Sequence, residues 1–173
     1  MRSLLCLTML AACGGGAHVR SAESAKEFDP EMSDLCVAED GPAPRYCTQE
    51  EDGTWKTATP PSNLLLQGRK ALEQGHYEAA VYTLTQALHK EDACGKQFAV
   101  EQRGEANYRL GRYKEAFKDF ASIVRDGPEN PFYAKVGEWL DALAPHVDSG
   151  AMHVCRASYD QAAASGTKTA PTE

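Results

Sequence analysis

Apolar residues between positions 61 and 130 recur at helical spacing, and the pattern occurs twice. Gln67-Gly-Arg-Lys-Ala-Leu-Glu-Gln-Gly-His-Tyr-Glu-Ala-Ala80 aligns with Arg103-Gly-Glu-Ala-Asn-Tyr-Arg-Leu-Gly-Arg-Tyr-Lys-Glu-Ala116 at a spacing of 36 residues. Each run leads into a second helical run, Val81 to Lys90 and Phe117 to Arg125. There Leu84, Ala87 and Leu88 in the first unit, and Phe120, Ile123 and Val124 in the second, form the apolar stripe. Gly75 and Gly111 fall where a helix must end in a left-handed residue, and each opens a Gly-x-Tyr-x-x-Ala string. Gly68, Gly104, Ala80 and Ala116 are small enough to let paired helices approach closely, Tyr77 and Tyr113 cover the turns, and Pro128 stops the second unit.

This arrangement resembles the tetratricopeptide repeat, a helix-turn-helix unit of about 34 residues. The chain departs from that pattern at Gln67 and Arg103, where the family prefers leucine, at Asp92, where it has proline, and at Ile123, where alanine is usual. A short array needs a cap. Pro131 to Ala144 carries Phe132, Val136, Trp139, Leu140 and Leu143 at amphipathic spacing and reads as a third inner helix. After Pro145, Ser149 is placed to cap a last helix from about Gly150 to Ala164. Upstream, Arg45 to Gln49 and Thr54 to Thr57 flank Glu50-Glu-Asp-Gly53 and suggest a small hairpin. The expected fold is all-α: two repeats plus capping helices. The divisions are a signal peptide at 1–12, a flexible tether at 13–35, a disulfide loop with hairpin at 36–60, the helical array at 61–144, a capping helix at 145–164 and a polar tail at 165–173.

The signal peptide is read from one basic residue, Arg2, a short apolar run and small residues before Cys13; that run is too short to span a bilayer. Leu10-Ala-Ala-Cys13 resembles the lipobox of bacterial lipoproteins. The resemblance implies cleavage before Cys13, a diacylglycerol on its thiol and acylation of the new N-terminus, and Gly14 after it implies an outer-membrane address. Two or three acyl chains, at about 0.8 kcal/mol per buried methylene, hold a protein on a bilayer.

The chain of 173 residues has a net charge of −7, and loss of Arg2 with the signal makes it one unit more acidic. Such a surface repels phosphate backbones, which argues against nucleic acid as a partner. With Cys6 removed and Cys13 lipidated, Cys36, Cys47, Cys94 and Cys155 remain in a compartment that permits disulfides. Of the three pairings, Cys36 with Cys47 closes the short Pro- and Gly-containing loop between them, with about 2–3 kcal/mol from loop closure, and leaves Cys94 to Cys155.

No metalloprotease helix, nucleophile elbow, phosphate loop or C-x-x-C pair occurs. Ser165-Gly-Thr-Lys168 matches a serine-x-x-lysine string only in the polar tail, His76 sits in a turn, and His153 and Cys155 diverge on a helix, so a zinc site with His146 is disfavoured. The expectation is therefore a binding protein without cofactor, not an enzyme. The family's inner helices line a concave groove, and the alignment carries that role to Leu65, Arg69 and Glu73, then to Phe98, Glu101, Glu105, Tyr108 and Arg109, then to Phe132, Lys135 and Trp139. Phe98, Tyr108 and Trp139 also fit plain interhelical packing. Glu101 and Glu105 fall on one helical face, as a solvated pair or as an acidic groove for a basic partner. The chain resembles, in architecture, lipidated repeat proteins that serve secretins, pili or gliding machinery of Gram-negative bacteria. That implies a periplasm-facing adaptor with an envelope protein as its partner. The alternatives are a lipoprotein that binds a soluble ligand or peptidoglycan, and a redox protein using Cys94 and Cys155.

Overall fold

A computed structural model describes residues 32, 34–37, 47–49, 55–56 and 60–166. The expected signal peptide, the lipidated Cys13, most of the tether and the tail from residue 167 lie outside the described residues. From residue 60 on, six α-helices follow one another: α1 Asn63–Glu73, α2 Tyr77–Ala87, α3 Ala93–Arg109, α4 Tyr113–Asp126, α5 Tyr133–Leu143 and α6 Ser149–Gly166. Among the described residues before them are a 3₁₀ turn at Asp34–Cys36 and a two-residue antiparallel ribbon, β1 Thr48–Gln49 against β2 Trp55–Lys56.

The helices form three consecutive hairpins, and the first two turns are built alike. Gly75 has φ 76° and Gly111 φ 74°. In the first turn Gly75 N–H donates to the Leu72 carbonyl at 3.0 Å and His76 N–H to Ala71 at 2.8 Å. In the second, Gly111 N–H donates to Tyr108 at 3.0 Å and Arg112 N–H to Asn107 at 2.9 Å. Both are the double hydrogen-bond closure that glycine permits at a helix end. The starts are capped by side chains: Ser62 Oγ accepts from Leu65 N–H at 3.2 Å, and Asp92 Oδ1 from Gly95 N–H at 2.8 Å. Asp92 thus begins α3 as a cap. At α6 the capping group is Asp148, whose Oδ1 accepts from Ala151 N–H at 2.8 Å, and not Ser149 as expected.

Each hairpin closes on a glycine. A Cβ added at Gly68 would lie 2.6 Å from Leu84 Cγ, at Gly104 2.8 Å from the Phe120 ring, and at Gly137 2.8 Å from Tyr159 Oη. Two apolar clusters result. Leu65, Ala80, Leu84, Ala87, Ala99 and Ala106 join α1, α2 and α3. Phe117, Phe120, Ile123, Val136, Leu140, Leu143 and Met152 join α4, α5 and α6.

The second cluster also contains Met32 and Cys36, which are 2% and 1% exposed, with Leu35 packed beside them. The distal end of the expected tether is therefore part of the core, because its apolar residues cover α4 and α6. That placement reverses the expected cysteine pairing: Cys36 bonds Cys155, and Cys47 bonds Cys94, each with Cα atoms 4.9 Å apart. The preference for the shortest loop fails because burial of Met32 and Leu35 carries Cys36 to α6, while Cys47 lies beside the first turn of α3. The two bridges staple the N-terminal segment to the array at separate points, across separations of 119 and 47 residues.

Peptide mapping under non-reducing conditions should recover Cys36 linked to Cys155 and Cys47 linked to Cys94, with no Cys36–Cys47 peptide. In the chain-entropy model the longer loop contributes about 5 kcal/mol and the shorter about 4 kcal/mol. The Cys36→Ser, Cys155→Ser variant should therefore melt well below wild type, by more than the Cys47→Ser, Cys94→Ser variant. Gly104→Leu should destabilise by about 1–3 kcal/mol or more, because the Phe120 ring already occupies the space.

Candidate functional site

The residues expected to line a groove sit on α1, α3 and α5, and most of them hold those helices together. Leu65 is 5% exposed and belongs to the α1–α2–α3 core. Phe98 packs edge-on against Phe132 with ring centroids 4.7 Å apart. One turn along, Glu101 accepts a hydrogen bond from Lys135 Nζ at 2.6 Å. Further on, Tyr108 meets the edge of Trp139 at 5.4 Å, while Trp139 stacks on Phe120 at 5.2 Å and Lys135 Nζ stands 6.0 Å from the indole centroid. These aromatic residues thus supply interhelical packing, the plainer of their two sequence readings.

Glu101 corrects the expectation of an exposed acidic pair. Its side chain is only 5% exposed, and burial pushes its carboxyl above the ordinary carboxylate range against the pull of Lys135. A helix face that the 3.6-residue period marks as polar is covered here by α5, a neighbour 34 residues away in the chain. Glu105 pairs with Arg109 at 3.3 Å and Arg69 with Glu73 at 2.8 Å, both as i, i+4 bridges on the surface. What remains accessible on this side is Arg69, Glu73, Arg109 and Lys135.

A second polar assembly went unread in the sequence. Arg103, on α3, grips Asp119, on α4, with both prongs of its guanidinium: Nη2 to Oδ1 at 2.6 Å and Nε to Oδ2 at 3.1 Å. Asn107 Nδ2 reaches Asp119 Oδ2 at 3.4 Å, and Arg103 Nη1 points to Thr85 Oγ1 at 3.4 Å. Asp119 is 5% exposed, and desolvation raises its pKa even with Arg103 alongside. These residues line an open cleft of about 430 Å³ between α2, α3 and α4, together with Val81, Arg112, Glu115 and Lys118. The available signal was Arg103 at a position where the repeat pattern calls for leucine, and Asp119 within the apolar run from Phe117 to Val124.

No group of three or more His, Cys, Asp or Glu side chains placed to hold a metal occurs among the described residues. Cys155 is bonded to Cys36, so it pairs neither with Cys94 nor with the histidines, and His146 stacks on Tyr113 at 3.8 Å. No helix among the described residues is long and apolar enough to cross a membrane. Comparison with protein families, curated proteins and solved structures finds no match: no family model, no curated protein and no solved structure matches the chain.

The buried carboxyl of Glu101 sets a pH dependence. Because burial raises its folded pKa above the ordinary carboxylate value, its contribution to stability is fully present below that ordinary value and is lost as pH rises through the folded pKa. Glu101→Gln, which keeps the shape and cannot ionise, removes that loss. The melting temperature of the Gln variant relative to wild type should therefore rise as pH increases from the ordinary carboxylate range through the raised folded pKa; calorimetry on both proteins across a pH series measures it. Glu101→Lys should destabilise markedly at every pH, since it sets a second cation against Lys135.

Proposed function

We propose that the protein is a lipid-anchored adaptor of the cell envelope, with a short tetratricopeptide-like array that binds a protein partner through the side formed by α1, α3 and α5. The observation that carries this reading is the recurrence of one hairpin. Gly68 against Leu84 and Gly104 against Phe120, Gly75 and Gly111 at φ near 75°, and the same pair of turn hydrogen bonds all repeat at 36 residues. Stacked hairpins of this kind have no enclosed pocket of their own and present an extended surface. The lipobox-like Leu10-Ala-Ala-Cys13 supports attachment by lipid, and its Gly14 supports the outer membrane facing the periplasm.

The recognition surface in this reading is mixed in charge. Arg69 and Glu73 on α1, Glu105 and Arg109 on α3 and Lys135 on α5 alternate in sign, which favours a partner helix or peptide of matching mixed charge over a uniformly basic one. Exposed pairs of this type contribute less than about 1 kcal/mol to folding, so they can be changed without loss of the fold.

Photo-crosslinking side chains placed at Arg69, Glu73 and Arg109 in living cells should give a discrete protein adduct, and Arg69→Glu with Arg109→Glu should remove it while the melting temperature stays within a degree or two of wild type. Adducts from Tyr82 on the outer helix α2, with none from the α1 and α3 positions, would refute the reading. In fractionation, Cys13→Ala should leave an uncleaved precursor or a soluble species without acyl mass; acylated protein recovered from the membrane in that variant would refute the anchor.

A further inference from the structure

The junction between the first two hairpins is polar where the rest of the array is packed. The positions 36 residues before Arg103, Asn107 and Asp119 are Gln67, Ala71 and Thr83, so the charged set is peculiar to the second hairpin. A buried ion pair is seldom worth its desolvation, and apolar residues of similar volume commonly serve folding as well or better. Burial of Asp119 under a cleft of about 430 Å³ therefore calls for a use other than stability.

We propose that this cleft is a binding site for a small molecule carrying a carboxylate or phosphate group beside a short apolar portion. Arg103, Arg112 and Lys118 would take the anionic group, and Val81 the apolar portion. Three properties of the site support that chemistry. Two of the guanidinium nitrogens of Arg103 are fixed by Asp119, so the group is held in place, while Nη1 has only the 3.4 Å contact with Thr85. Arg112 is likewise steadied, by Glu78 at 2.6 Å, and Lys118 makes no hydrogen bond or ion pair among the described residues. Arg103, fixed by Asp119, offers an anion a donor that is already ordered, and Lys118 adds a mobile cation beside it.

Charge points the same way. In a chain of net charge −7, the cleft is lined by three cations against two carboxylates; Asp119 is engaged by Arg103 and Asn107, Arg112 by Glu78, and Lys118 is the cation that makes no ion pair among the described residues. Glu115, the remaining acid, is exposed at the rim, where it disfavours ligands of high negative charge and admits one with a nearby amine. The volume falls within the range of small-molecule sites, about 300–1,000 Å³, and is too small for a folded partner. This site stands independently of the adaptor reading, because it opens between α2, α3 and α4 and uses none of Arg69, Glu73, Glu105 or Arg109.

The test is a titration of the isotope-labelled, disulfide-intact chain with sodium succinate and, separately, with sodium phosphate, at an ionic strength held constant with sodium chloride. Saturable shifts at Thr85, Asn107 and the Arg103 side chain are expected, with a Kd of about 1 mM or tighter for at least one of the two. Succinate alone would assign a carboxylate ligand, and phosphate alone a phosphorylated one. Arg112→Glu with Lys118→Glu should weaken binding at least tenfold; both side chains are exposed, so the melting temperature reports whether the fold is kept, and Lys118→Gln alone should weaken binding severalfold if it is not. Absence of saturable shifts with both anions, or equal affinity in wild type and the variants, overturns the proposal. Crosslinking at Arg69 and Arg109 reads a different surface, so either result leaves the adaptor reading to its own test.

Discussion

In each hairpin a glycine, at positions 68, 104 and 137, makes room for a bulky side chain of the opposite helix, and that fit sets how the paired helices meet. Against each stands a bulky side chain from the second helix of the hairpin: Leu84, Phe120 and Tyr159. A methyl group at any of the three would fall inside the van der Waals radius of its neighbour, so that side chain or the helix carrying it would have to shift to admit it. The dependence runs outward from there. With α3 and α4 in close contact, Phe120 lies where Trp139 of α5 can stack on it, and Trp139 in turn gives Tyr108 and Lys135 a surface to meet. The order of the third hairpin on the second therefore rests on Gly104. The residues that lay α5 along α3, Phe98 with Phe132 and Glu101 with Lys135, add directional contacts to a geometry already fixed by packing.

An array of this length buries little apolar surface per residue, and the ends of such arrays need covering. The first hairpin shows the consequence in Leu66 and Tyr82, which are 50% and 68% exposed. At the other end the protein recruits its own N-terminal segment: Met32, Leu35 and Cys36 lie on α4 and α6, and the Cys36–Cys155 bridge makes that association unimolecular. The second bridge ties Cys47 to α3. Both disulfides therefore act on the same problem, holding an upstream strap against helices that do not by themselves close a core. Loop-closure entropy favours such bridges most when they span long stretches, which is the opposite of the local pairing that sequence proximity suggests.

How much of this was legible in the chain divides along the same line. The helices, their order and both glycine turns were readable, because hairpin structure is set by residues within about 20 positions of one another: the 3.6-residue period and the left-handed Gly75 and Gly111. The contacts that were misread all join distant positions. Glu101 looked exposed by its helical face, but its environment is decided by Lys135. Cys36 looked local to Cys47, but its environment is decided by α6. Gly137 escaped notice because its partner, Tyr159, lies 22 residues on, beyond a longer turn than the one separating Gly68 from Leu84. Of the residues expected on a groove, five out of the aromatic and acidic set proved to be mortar between α3 and α5: Phe98, Glu101, Tyr108, Phe132 and Trp139. Periodicity reports which residues share a face and is silent on what covers it.

The polar junction at Arg103 inverts the usual relation between departure and defect. Arginine at position 103 obliges the fold to supply a buried carboxylate, and Asp119 accepts two well-formed hydrogen bonds from it. Neither residue is stable in that place without the other: removing Arg103 leaves a desolvated carboxylate, whose pKa burial already raises, and removing Asp119 leaves the guanidinium with only Thr85. The pair and the cleft above it therefore form one unit. Since Asn107 contributes its amide to the same carboxylate, three positions of the second hairpin, which hold Gln67, Ala71 and Thr83 in the first, act together to fix a guanidinium at the cleft. Coordinated departures of that kind are accounted for by the chemistry they present to solvent, because the helices would pair without them.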